Sequence, residues 1–366
     1  MRSVFIALSL LLAGSPASAA GLCAAAGEVV AKRACAESAI GIAIADDAAR
    51  ARQLLDYAKA GEARFQARFG RLPVRYAVIE TSGGAVEGAG FEGLKAAGFR
   101  AILPWLSSAG YRTQIEASIK RDIEAQTASL PPEVRSSIIE QALARLKEKP
   151  PEMQDEGGIP HELGHMWYAA AFWPGSDPKG GHYGSEGPDW MDEVAAVMME
   201  SDALAKQRVS QFGDRFRKLS GDAARAADPL LDLPRFFAST HPGAERAKKM
   251  SAEFRPASPD GAPVDAPRNG IFIRASSGPE AEKFADSAVH YYLQSTMVTD
   301  YLADRTGDPA VFARIGAAFA RGETMAQWLA NKEPKGKLPR DLKALQADWL
   351  SWLDQRFPAE PAKPTS

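Results

Sequence analysis

The run Gly157-Gly158-Ile159-Pro160-His161-Glu162-Leu163-Gly164-His165-Met166-Trp167 constrains this chain more than any other stretch. Residues four apart on a helix stand one turn above each other on the same face. His161 and His165 can therefore present two imidazole nitrogens to one metal ion. Glu162 follows the first ligand directly, which puts a carboxylate beside that ion but free of it, where a general base acting on a zinc-bound water is needed. Local signals favour a helix: Pro160 suits the first helical position, two glycines precede it, and Trp173-Pro174 stops the run. Only five histidines occur in 366 residues, so this spacing rarely arises by accident.

The first residues read as an address. Arg2 supplies a positive start, Val4 to Ala13 form an apolar core too short to span a bilayer, and Ala17-Ser18-Ala19 is a small-x-small cleavage site. Residues 1–19 are thus expected to be a signal peptide, and the mature chain to be periplasmic or secreted. Cys23 and Cys35 are the only cysteines, and an even pair in an exported chain most simply forms one disulfide. No later segment reaches ~18 continuous apolar residues, so no stable membrane span is expected once the leader is gone. A formal charge of −2, with both signs interspersed, argues against a nucleic-acid or anionic-membrane partner.

Residues 20–110 read as an amino-terminal lobe of helix and sheet. Apolar side chains recur at helical spacing over 46–69, from Ala48 to Phe69, with Gly61-Glu62 interrupting the stripe, Gly70 able to cap it and Pro73 barring its continuation. Residues 74–79 and 99–106 read as strands, the second pushed to an edge by Pro104. Residues 111–254 form the zinc-binding helical region. Within it, 113–149 is a charged insert that Leu130-Pro131-Pro132-Glu133 splits into two helices, a lid, a cleft wall or simple packing. Residues 255–280 are a Pro- and Gly-rich loop, 281–357 a helical carboxy-terminal subdomain with Phe312, Ile315, Phe319, Trp328, Trp349 and Leu353 in its core, and 358–366 a disordered tail.

Two histidines do not complete a catalytic zinc site; three protein ligands and an open position do. A continuation through glycine to a third histidine on the same strand of sequence is excluded, because Tyr168 and Ala171 stand at those places. His182 lies in a glycine-rich loop that nothing fixes. The best candidate is Glu193, in Pro188-Asp189-Trp190-Met191-Asp192-Glu193-Val194-Ala195, on a helix expected to start at Pro188 and run to about Phe212. Glu200, seven residues on, returns to the same face and could orient a ligand histidine through its free ring nitrogen. Acidic residues in a first helical turn are also simply favourable there.

His161-Glu162-Leu163-Gly164-His165-Met166-Trp167, followed by Trp190-Met191-Asp192-Glu193-Val194-Ala195 and Glu200, resembles the gluzincin zinc metallopeptidases, especially the alanyl-aminopeptidase-like branch. The likeness extends from about Phe69 onward, weakly outside these motifs. It departs from the family in a longer gap between His165 and Glu193, in Val194 where glycine is usual, and in the absence of a true GxMEN strand. The resemblance implies an α+β zincin (thermolysin-like) fold, Zn2+ held by His161, His165 and Glu193, and Glu162 as the base that activates water for peptide-bond hydrolysis. A second similarity, in Tyr292-Leu293-Gln294-Ser295 through Val298, Tyr301 and Leu302, implies that Tyr292 steadies the oxyanion. Neighbours on a helix diverge by about 100°, so Tyr291 and Tyr292 cannot both face the metal, and His290 is the reserve donor. The expected partner is a peptide or protein substrate. The alternatives are a non-catalytic zincin-like binding protein and a zinc hydrolase of a non-peptide amide or ester.

Overall fold

A computed structural model of the chain describes residues 21–83, 86, 88–148, 154–174, 186–219, 221–243, 279–331 and 338–358. The expected leader, the loop bearing His182, nearly all of 255–280 and the tail from 359 lie outside the described residues. The amino-terminal helix α1 (Leu22–Ala25) is tied to strand β1 (Ala34–Glu37) by the Cys23–Cys35 disulfide. Strands β2 (Gly41–Ala45), β3 (Tyr76–Thr81) and β4 (Ala101–Leu106) follow in spatial order, β1 antiparallel to β2 and the other pairs parallel. Parallel neighbours need crossovers, which α2 (Ala48–Phe69) and α3 (Gly88–Ala96) supply.

Side chains alternate across the sheet. Ala43, Tyr76, Val78, Leu103 and Trp105 enter the main core, whereas Ile42, Ile44, Ala77, Ile79 and Ile102 pack with Leu94 and Phe99 in a second cluster. Both faces are covered, so β2 to β4 read as apolar runs. β1 and β2 were not foreseen, because Ala-Cys-Ala-Glu and Gly-Ile-Ala-Ile-Ala are short and poor in bulky β-formers. The two foreseen strands each begin two residues later than expected. β4 is an edge strand among the described residues, with Pro104 opposite Ile79.

Asp47 caps α2 by accepting from the N–H groups of Ala49 and Arg50, and Gly70 closes it in the left-handed region at φ 66°. The helix runs unbroken through Gly61, contrary to the interruption expected there. At Gly61 it crosses the helix that carries Pro160 so closely that a Cβ would sit 2.6 Å from the Pro160 Cβ. Glycine at this position lets the two helices approach.

α4 (Ser108–Gln126) and α5 (Pro132–Glu148) form the expected helical pair; α5 buries no residue fully and exposes Val134 and Ile138. α6 (Asp155–Phe172) carries the His-Glu motif and starts earlier than Pro160, which lies inside it. Proline there removes one early backbone bond, a smaller loss near an N-terminus than in mid-helix. α7 (Asp189–Val197) and α8 (Asp202–Lys218) replace the single helix expected to reach Phe212: the chain breaks at Met198 to Ser201, and Ser201 caps α8 by accepting from Leu204 N–H. α9 (Asp222–Ala227) and α10 (Leu233–Ala238) lead away, and the long α11 (Pro279–Thr306) returns against α7 and α8. α12 (Val311–Phe319), α13 (Met325–Asn331) and α14 (Leu342–Arg356) complete an α+β fold in which helix dominates. One continuous cluster of buried side chains joins the sheet to these last helices. No helix among the described residues is long and apolar enough to cross a membrane.

Candidate metal centre

α6 is anchored at its first residue before its histidines are reached. Arg50 of α2 pairs with Glu80 of β3 at 2.8 Å and with Asp155, the first residue of α6, at 2.6 Å. Trp105 Nε1 of β4 donates to the other Asp155 oxygen at 2.7 Å. Further along, Ile159, Leu163 and Trp167 are fully buried at successive four-residue steps. Each such burial contributes roughly 1.5–3 kcal/mol, which offsets the cost of bringing two imidazoles out of water. Gly164 lets α7 approach: a Cβ there would meet Ala196 Cα at 2.8 Å and Met199 Cγ at 2.9 Å.

This close pairing brings Glu193 of α7 to the histidine face of α6. Glu193 Oε1 lies 3.7 Å from His161 Nε2, and Oε2 lies 3.8 Å from His165 Nε2. Three donor atoms, one each from His161, His165 and Glu193, fall within 4.8 Å of one another, and all three residues are buried. Ligands about 2.1 Å from a tetrahedral zinc stand about 3.4 Å apart, so the spacing suits a shared ion better than direct hydrogen bonds. Glu193 is 0% exposed, and neither of its buried oxygens has a hydrogen-bond partner among the described residues. A buried carboxylate so arranged fits a cation. The donor set of His161, His165 and Glu193 could hold a metal ion.

The far nitrogens of both rings are already engaged. His161 Nδ1 lies 2.8 Å from Glu200 Oε1, and His165 Nδ1 lies 3.0 Å from Asp192 Oδ2. A carboxylate accepts, so each Nδ1 carries the proton and each Nε2 offers its lone pair inward. Arg208 of α8 donates to Glu200 Oε1 at 2.6 Å and holds its guanidinium 4.7 Å from the centre of the Tyr292 ring. Glu200 does reach a ligand histidine, from the turn after α7 rather than from the helix face that periodicity suggested. Asp192 was read only as part of an acidic first turn, and Arg208 had no sequence signal at all.

Burial by itself would lower the pKa of His165; Asp192, Glu193 and Glu162 outweigh it and raise the value to about 10. Burial also raises Glu193, against the opposing pull of His161, His165 and Arg208. Glu162 is half-buried beside His161, near enough to act on His165. The ring of half-buried Tyr292 lies 5.8 Å from that of His161. Tyr291 instead packs on His241 at 4.9 Å, its hydroxyl pushed up by burial and then by the charges of Glu193 and Asp189. Tyr292 also approaches the His241 ring, at 6.0 Å between ring centres. His290 is not brought in: it faces Arg215 and Asp286.

His241 was missed, although it is one of only five histidines. It sits beyond α10 with no motif around it, is 2% exposed, and places Nε2 3.4 Å from Glu193 Oε2. Rarity of the residue type was the one available signal. No family model matches this chain, and no curated protein or solved structure matches it either.

Proposed function

We propose that this chain is an exported zinc-dependent metallopeptidase with a gluzincin-type centre on a zincin-like fold. The observation that carries this reading is the buried His161, His165 and Glu193 set with both outer ring nitrogens held by carboxylates. Two imidazoles and one carboxylate suit zinc among the common ions, and three protein ligands are the number that catalytic zinc sites keep. A zinc ion bound there would supply Lewis acidity, polarising a substrate carbonyl and bringing the pKa of water towards ~7.

The chain's own residues then divide the work. His161, His165 and Glu193 hold the ion, and Asp192 and Glu200 keep the two rings in the Nδ1–H tautomer. Arg208 pairs with Glu200 at 2.6 Å and holds its carboxylate in place. Glu162 takes a proton from the attacking water and passes it to the leaving amine. Tyr292, beside His161, would steady the developing oxyanion by a hydrogen bond from its hydroxyl. Within this reading, Glu162 distinguishes a hydrolase from a binding protein, which has no use for a base at that position. Export follows from the sequence of residues 1–19.

The test is cleavage of a mixed peptide library by the mature protein, with and without a chelator. New termini that appear only without chelator, and again after zinc is restored, are expected. A zinc-loaded protein that leaves every peptide intact would contradict the proposal.

A further inference from the structure

His241 lies outside the set of three donor atoms yet closes on one of them. Its backbone N–H donates to Asp189 Oδ2 at 2.7 Å, which ties the loop after α10 to the first residue of α7, the helix that carries Asp192 and Glu193. Its ring is fixed as well. Nδ1 accepts from the Gly243 N–H at 2.9 Å, so the ring proton of the neutral imidazole belongs on Nε2. The ring stands perpendicular to Tyr291. That Nε2–H is 3.4 Å from Glu193 Oε2, just beyond ordinary hydrogen-bonding distance, so a small closure would join them.

We infer that His241 is a positioning residue for the ligand Glu193, an Nε2–H donor that fixes the rotation of the carboxylate and strengthens metal binding from outside the ligand set. This rests on the metal centre proposed above. Ligating carboxylates are themselves commonly hydrogen-bonded, and such partners influence affinity for the metal. Glu193 is the member of the set that otherwise lacks an outer hydrogen-bond partner: the two histidines donate to Glu200 and Asp192, whereas among the described residues no hydrogen bond reaches either Glu193 oxygen. His241 Nε2–H is the donor nearest in geometry to that role.

The experiment is zinc affinity, measured by competition with a chromophoric chelator on the full mature chain. Wild type, His241→Phe and His241→Gln are compared, with melting of each metal-free variant as the folding control. Phenylalanine keeps the contact with Tyr291 and removes the donor; glutamine restores an N–H. Roughly 10–100-fold weaker zinc binding is expected for His241→Phe, with partial recovery in His241→Gln and unchanged metal-free melting. Failure of wild type to bind zinc would overturn the metal centre and this inference with it. Tight wild-type binding that His241→Phe leaves unchanged would overturn the inference alone. Should the variants not fold, 15N-histidine spectra of zinc-loaded wild type decide: His241 is expected as the Nε2–H tautomer, and an Nδ1–H tautomer would contradict its role.

Discussion

His165 Nδ1 lies 3.0 Å from Asp192 Oδ2, and this contact assigns both the proton and the orientation of the ring. Asp192 directly precedes Glu193, which faces the other nitrogen of the same ring at 3.8 Å. One helical turn thus carries the group that aims the histidine and the group that would share an ion with it. Removing the aim without removing a ligand separates the two roles. Asp192→Ala is expected to weaken zinc binding roughly 10–100-fold, and Asp192→Asn, which keeps a carbonyl acceptor, to weaken it less. Chelator competition measures both, and equal losses in the two variants would contradict the tautomer assignment.

At the proposed centre protons and zinc would compete for the same atoms. In the metal-free protein the folded pKa of His165 is about 10 against an ordinary 6.5, because Asp192, Glu193 and Glu162 outweigh burial. The stability it contributes is full below 6.5 and is lost as pH rises through about 10. Glu193, also raised, acts with the same sign. Melting temperature of the metal-free protein is therefore expected to fall across that window, and zinc to stabilise more at about pH 8.5 than at about pH 6. Titration calorimetry in two buffers of different ionisation heat should show net proton release on zinc binding. Proton uptake would contradict this balance.

Gly164 tests whether close approach of α6 and α7 builds the site. A methyl group there meets backbone as well as side chain, at 2.8 Å from Ala196 Cα, and backbone cannot swing aside. Gly164→Ala is expected to cost about 1–3 kcal/mol and to weaken zinc binding by separating Glu193 from the histidines. Denaturant melts and chelator competition read the two effects. A variant of wild-type stability and affinity would show that the helices have room to spare.

How much of this was legible in the sequence follows the range of the interactions. His161, Glu162 and His165 could be read because they lie within one helical turn of each other, where spacing alone sets geometry. Glu193 needed a second helix: it was legible as a carboxylate near a helix start at Pro188, then through the likeness of its flanking residues to a known pattern, and the packing of α6 on α7 now accompanies it with distances. Asp192 stood in view and was read as a solvated helix start, because burial of α7 from Trp190 onward depends on tertiary contacts. Arg208 and His241 reach the centre from other elements, and nothing local marks them. The same holds for Gly61, read as a flaw in α2 and found to be the point where α2 and α6 cross. The break between α7 and α8 had one local signal, Ser201-Asp202, residue types that suit a helix start, set inside a run that is otherwise rich in helix formers.

Glu162 separates binding from chemistry. Glu162→Gln is expected to keep the zinc content of wild type while slowing peptide cleavage by roughly 10²–10⁴-fold, the range of a general base. Metal analysis and initial rates on one cleaved peptide give the comparison. Full activity in this variant would sink the proposed role of Glu162, and loss of zinc would place it among the ligands.

The most direct measurement is the zinc content of the mature wild-type protein beside Glu193→Ala after equilibrium dialysis against the same low zinc concentration. The account predicts one tightly held zinc per wild-type chain and its loss, or a severe drop in occupancy, in Glu193→Ala, with the metal-free folds of both intact. A wild-type protein that takes up no zinc, or a Glu193→Ala protein that holds it as tightly, would contradict the assignment of His161, His165 and Glu193 as one metal centre.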